Sequence, residues 1–250
     1  MPSHHGSRPL KAWRYIGVYG PEIMLCLAQV RIGRARQAFW AVWDRLNQTL
    51  YQRTVLGAGG VRLAPGRAEL LERGLSLGIV LDEQPGIETV CPAGGSYAWT
   101  RKQAPVPARV VMELDGSRRA FEAPAVIDDT AAYYPRHTHW RWSAGVGRSV
   151  DSTPVAWNLV SGVNDPRSGS ERTVWVDDHP EEAPPCTFAD DLGQVDGLRF
   201  AAESGLERNQ NLGLVRSRYR QPFGTFSGEL PGGILLAEGF GVMEEHDAWW

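Results

Sequence analysis

The chain has 250 residues, 42% apolar and 22% charged, enough to bury a core and too apolar for the disordered class. A formal net charge of −3 with scattered arginines and only Lys11 and Lys102 as lysines excludes a basic track for nucleic acid. Three isolated cysteines, Cys26, Cys91 and Cys186, exclude a disulfide framework and fit reduced thiols in a cytoplasmic protein, and no apolar run reaches membrane-spanning length.

In chain order, Gly17 to Val30 (interrupted) and Ala38 to Trp43 read as strands. Phe39 to Leu50 also passes for a helix, and Ala68 to Arg73 for one helical turn or an exposed strand. Strand signals follow at Leu75 to Leu81, Glu88 to Cys91, Tyr97 to Arg101 and Ala108 to Leu114. The second half supplies His137 to Ala144, Val155 to Val160, Arg172 to Val176, Leu198 to Ala202, Leu212 to Tyr219, Gly224 to Leu230 and Ile234 to Glu244. Turn chemistry separates them at Asp115-Gly116, Asp177-Asp178, Asp196-Gly197 and Pro231-Gly232-Gly233. The last predicts a hairpin between Thr225 to Leu230 and Ile234 to Phe240. The pattern predicts an all-β, antiparallel fold, a barrel or sandwich with few short helices. A proline-rich stretch, Ala104 to Asp129, divides the chain into an N-terminal half, 1–125, read as a shortened barrel, and a C-terminal half, 126–250, unless both form one continuous domain.

The densest chemistry lies between Asp128 and Trp142. Strand alternation puts His137, His139 and Arg141 on one side and Thr138, Trp140 and Trp142 on the other. The polar row faces a cavity or solvent, with His137 or His139 as acid or base. Two histidines at i and i+2 also fit a metal pair, with His179, His246 or a carboxylate completing the site, but nothing at ligand spacing follows the pair, so no metal and no cofactor are assigned. A hydrogen-bonded pair inside a packed sheet is the competing structural reading. Asp129 and Glu171 are the candidate proton-handling carboxylates, Glu171 alternatively forming an ion pair, for example with Arg141. Asn158, inside an apolar strand, needs a partner. Arg141, Tyr134, Trp140, Trp157, Asn158 and Trp175 are the candidate ligand-binding residues. Glu244-Glu245-His246-Asp247 reads as a charged strand end with Trp249 and Trp250 packing back. There is no phosphate-binding loop, Gly57-Ala-Gly59-Gly60 lacking its Lys-Ser/Thr, and no nucleophile elbow.

Four segments, 127–147, Ala156-Trp-Asn-Leu-Val160, Ser170-Glu-Arg-Thr-Val-Trp175 and Tyr219-Arg-Gln-Pro-Phe-Gly-Thr-Phe-Ser-Gly228, resemble an uncharacterised bacterial family catalogued as domain of unknown function 2804. More distantly the chain resembles lipocalin-like (calycin) proteins of the hydroxyneurosporene synthase type, which are carotenoid hydratases. That resemblance implies antiparallel strands curled around an apolar interior, and it transfers no catalytic residue. The leading expectation is a binder of a small apolar or amphipathic molecule. The alternatives are a cofactor-independent hydratase or isomerase acting on an isoprenoid-like or lipid substrate, and a structural module without a pocket.

Overall fold

The computed structural model describes residues 1–211 and 216–250. Every sheet pairing among them is antiparallel, and none of them is helical. A short ribbon, β1 (His4–His5) with β2 (Arg8–Pro9), precedes two large sheets. The first holds β3 (Lys11–Tyr19), β4 (Ile23–Ile32), β5 (Ala35–Asp44), β6 (Thr49–Leu56), β7 (Val61–Ala64), β8 (Arg67–Glu72), β9 (Leu75–Leu81), β10 (Ile87–Pro92), β11 (Tyr97–Leu114) and β12 (Ser117–Ala132). Its order is β6-β5-β4-β3-β12-β11-β9-β8-β7, with β10 also on β11. The second holds β13 (His137–Ser149), β14 (Pro154–Ser161), β15 (Thr173–Val176), β16 (His179–Glu182), β17 (Gln194–Val195), β18 (Leu198–Asn211), β19 (Arg216–Leu230) and β20 (Ile234–Trp249). Its order is β16-β15-β14-β13-β20-β19-β18-β17.

The few short helices expected from the sequence are therefore not there among the described residues. Phe39 to Leu50 runs through β5 and into β6, and Ala68 to Arg73 lies mostly in β8. The reason is burial on both faces. Ala38, Trp40 and Val42 enter one core while Phe39, Ala41 and Trp43 enter another. A strand covered on two sides is continuously apolar, which hides its period of two. The strand expected from Leu212 lies outside the described residues up to position 215, and β19 begins at Arg216. The C-terminal hairpin forms as expected. Leu230 pairs with Ile234, and Gly232 and Gly233 adopt φ values of +93° and +82° in the turn, a region open to glycine without a Cβ penalty.

Each sheet curls over its own core. Inside the first are Ile16, Leu25, Val42, Leu70, Ile79 and Val110, among others. Gln29 Nε2 donates to Val61 O at 2.9 Å, tying β4 to β7 across the curl. Inside the second are Trp157, Phe188, Phe226 and Met243. Trp157 is possible there because Gly145 leaves room: a Cβ on Gly145 would sit 2.2 Å from the indole ring. The outer faces of β3, β4 and β5 then meet β13, β19 and β20 through a third, aromatic-rich layer containing Tyr15, Phe39, Trp140, Trp142 and Tyr219. No helix among the described residues is long and apolar enough to cross a membrane.

Candidate functional site

The layer between the sheets is not completely filled. A cavity of about 100 Å³ that opens to solvent lies there, smaller than the usual small-molecule site of roughly 300–1,000 Å³. Trp13, Tyr15 and Phe39 line it from the first sheet, and Trp140, Trp142 and Tyr219 from the second. The rings are ordered: Trp13 and Trp140 stack at 6.1 Å and 8°, and Trp140 and Trp250 at 6.4 Å and 16°. Such walls favour flat or elongated apolar molecules.

Two titratable groups of β20 enter this space. Register places Glu244 opposite Trp142, and His246 between Trp140 and Tyr219. The Glu244 carboxyl is buried and receives three hydrogen bonds: Trp140 Nε1 to Oε1 at 2.8 Å, Tyr219 Oη to Oε2 at 2.8 Å and Gln221 Nε2 to Oε2 at 3.0 Å. Burial pushes its pKa up to about 7, and the three donors only partly oppose that. His246 is buried beside it, and burial together with nearby Arg208 pushes its pKa down to about 3. The imidazole is therefore neutral at working pH. Its Nε2 meets Ser217 Oγ at 2.8 Å, and its ring stands edge-on to Trp140 at 4.4 Å.

A second polar cluster borders the cavity on the side of β12 and the loop after β14. Lys102 is buried and bonds Asp128 Oδ1 at 2.5 Å and Glu171 Oε1 at 3.3 Å. Burial disfavours the ammonium, but the two carboxylates more than offset it and hold its pKa above the ordinary value. Burial raises the pKa of Glu171, against the pull of Lys102. Trp13 Nε1 donates to Asp128 Oδ2 at 3.1 Å, and Asn164 Nδ2 donates to Glu171 Oε2 at 3.0 Å and to Tyr134 Oη at 2.7 Å.

The residues singled out from the sequence are distributed as follows. Trp140 and Glu171 line the cavity. Asn158 is fully buried just behind it, accepting from Trp142 Nε1 at 2.7 Å and donating to Glu171 O at 2.8 Å. Tyr134 holds Asn164, and Trp175 packs in the aromatic layer. Trp157 belongs to the interior of the second sheet, bonded to Ser143 Oγ at 3.0 Å. Alternation over 137–142 is as the pattern requires, but the polar row faces outward. His137 is exposed, paired with Asp247 at 2.7 Å and stacked on Trp249 at 4.3 Å. His139 is exposed and pairs with Glu245 at 3.0 Å, on the rim of a shallow polar groove. Arg141 pairs with Glu245 and Asp190, while Glu171 takes Lys102. Asp129 is held by Arg14 and Arg101. The neighbour of Asp129, Asp128, lines the cavity. Sequence reasoning gave Asp128 no role and read Glu244 and His246 as part of a charged strand end, not as residues of the cavity. The available signal was the period of two through 244–247, which puts Glu244 and His246 on one face. The cysteines are free and buried, and burial pushes Cys26 and Cys186 up to about 12. Among the described residues no three His, Cys, Asp or Glu side chains group as metal ligands.

A family model described as Domain of unknown function (DUF2804) matches residues 59–182. Over that span, from β7 to β16, the chain is similar to this uncharacterised family. No curated protein matches the chain. Among solved structures it is similar to kievitone hydratase from Nectria haematococca, with 11% identity, a TM-score of 0.63, and coverage of 94% of this chain and 88% of that one. A protein assigned as AttH from Nitrosomonas europaea shares 12% identity with a TM-score of 0.56, covering 97% of this chain and 94% of that one. CghA with Sch210972 shares 8% identity with a TM-score of 0.52, covering 100% and 93%. At such identities the likeness is one of fold: antiparallel sheets curled into half-barrels.

Proposed function

We propose that the chain is a cofactor-independent enzyme of the hydratase or isomerase type, transferring a proton to and from a largely apolar substrate held between the sheets. The observation that carries this reading is Glu244: a carboxyl in a tryptophan-walled cavity, held by three donors and poised near neutral pH. A binding protein has no need of such a group, whereas a general acid works best when its pKa lies near the working pH. Two of the proteins with this fold offer support of a limited kind: one is named a hydratase and another holds a small molecule.

In this mechanism the protonated Glu244 gives its proton to one carbon of a substrate double bond. Trp140, Tyr219 and Gln221 hold the carboxylate that results. Water then bonds to the neighbouring cationic carbon, and its surplus proton returns to Glu244, which completes a hydration. Loss of a proton from an adjacent carbon to Glu244 instead completes an isomerisation. Neutral His246, with Ser217 on its Nε2, orients the water or a substrate hydroxyl. His137, His139 and Asp129 lie outside this space and have no step in it, while Glu171 and Asp128 shape its polar end.

Isoprenoid and other unsaturated compounds incubated with the protein in D2O test this reading by mass spectrometry. A compound that quenches tryptophan fluorescence should gain deuterium, and Glu244→Gln should cut the rate by about 10² or more while quenching persists. Quenching without deuterium uptake at any pH would leave the binding-only reading standing instead.

A further inference from the structure

Resting on the reading of the cavity as an active site, the geometry points to Arg208 as an anion-recognition residue and to a substrate that bears a carboxylate next to its apolar frame. Arg208 lies on β18 and lines the cavity. Its guanidinium sits over two rings, 5.9 Å from the centroid of Phe39 and 5.5 Å from that of Tyr219. Among the described residues its one hydrogen bond runs from Nη1 to Thr54 Oγ1 at 3.2 Å. The Nε is buried with no partner, and no carboxylate among the described residues forms an ion pair with this side chain.

The other buried or half-buried arginines show how unusual this is. Arg14, Arg45, Arg101, Arg119 and Arg141 each meet a carboxylate. Fully buried Arg172 is satisfied by the carbonyls of Ala183 and Pro166. A guanidinium keeps its charge at any working pH, so a half-buried one needs a matching partner. Ring faces stabilise the cation above and below its plane but leave the donor edge unused. That edge is a planar fork shaped for a carboxylate.

Position adds the link to chemistry. Tyr219 lies under Arg208 with its ring and donates to Glu244 with its hydroxyl. The incompletely used donor edge and the proton-transferring carboxyl are thus one tyrosine apart. A carboxylate anchored on Arg208 leaves the adjoining carbons of the substrate beside Glu244 and the tryptophan wall. The substrate class is then an unsaturated carboxylic acid with a flat or extended apolar body, not a neutral hydrocarbon.

A matched pair of probes tests this directly: 2-naphthoate and 2-naphthalenemethanol, titrated by quenching of tryptophan fluorescence. The two share one ring system and differ in the anionic head. The wild-type protein should bind the acid about tenfold more tightly than the alcohol. Arg208→Met, which keeps the side-chain stem, should lose that preference while binding the alcohol as before, and Arg208→Lys should retain part of it. Equal binding of acid and alcohol by the wild type overturns the inference without any variant, and so does a preference that survives Arg208→Met. Either result leaves the proton-transfer reading intact, whereas failure of both probes to bind removes the cavity reading and this inference with it.

Discussion

Glu244 and His246 leave β20 on one side, and Glu245 and Asp247 leave it on the other. The four are consecutive acids and imidazole, yet their environments have nothing in common. Burial pushes the outward Glu245 up, but His139 and Arg141 together outweigh it and hold its carboxyl below the usual range. The inward Glu244 is pushed up to about 7 and the inward His246 down to about 3. Opposite shifts in an acid and a base share one cause, the cost of a charge away from water. The comparison teaches that along this strand side, not residue type, decides whether a titratable group is structural decoration or chemistry.

The comparison breaks most visibly through packing. Trp142 faces inward, buried, with its indole nitrogen on Asn158. Trp142→Ala should cost about 3–5 kcal/mol in denaturant unfolding, because a large side chain is lost and the Asn158 amide oxygen is orphaned. A loss below 1 kcal/mol would mean that the aromatic layer is not a packed core.

A pH titration of stability sharpens it further. The folded protein keeps the Glu244 proton between the usual carboxyl value of 4.5 and about 7, while the unfolded chain gives it up. This stabilisation is complete below pH 4.5 and is lost as pH rises through 7, a fall of about 3 kcal/mol. Glu244→Gln should flatten that limb of the thermal-unfolding profile, and an unchanged limb would place the titration elsewhere. His246 acts in the other direction. Its neutral form stabilises above pH 6.5, and that contribution is lost as pH falls toward about 3. His246→Phe should therefore reduce acid sensitivity in the same scan.

The outward row should give the smallest effects. His139 is nearly half exposed, 46% at the side chain, and its partner is Glu245. Exposed ion pairs contribute little once solvent and salt screen them. His139→Ala should change stability by about 1 kcal/mol or less and leave deuterium exchange into a bound alkene intact. A large loss of exchange would move the chemistry to the outer groove.

Part of this was legible without coordinates. Alternation over 137–142 sorted the tryptophans from the histidines, and Pro231-Gly232-Gly233 marked its hairpin. What could not be read was which face had a second sheet in front of it. Asp128 and Asp129 show the limit. Pairing across β11 and β12 gives Lys102 to the first and Arg101 to the second, and only the first reaches the cavity. Glu244 and His246 looked like a solvated strand end because their burial depends on β3 and β5, some two hundred residues away in sequence.

The order of residues alone determined that this chain would be sheet, where its clearest hairpin turns, and which side chains share a face, since those follow from local backbone geometry and a period of two. Only tertiary structure decided which faces lost their water. That depends on how far each sheet curls and how the two outer surfaces meet, and it is this loss of water that turns an ordinary glutamate into a candidate acid.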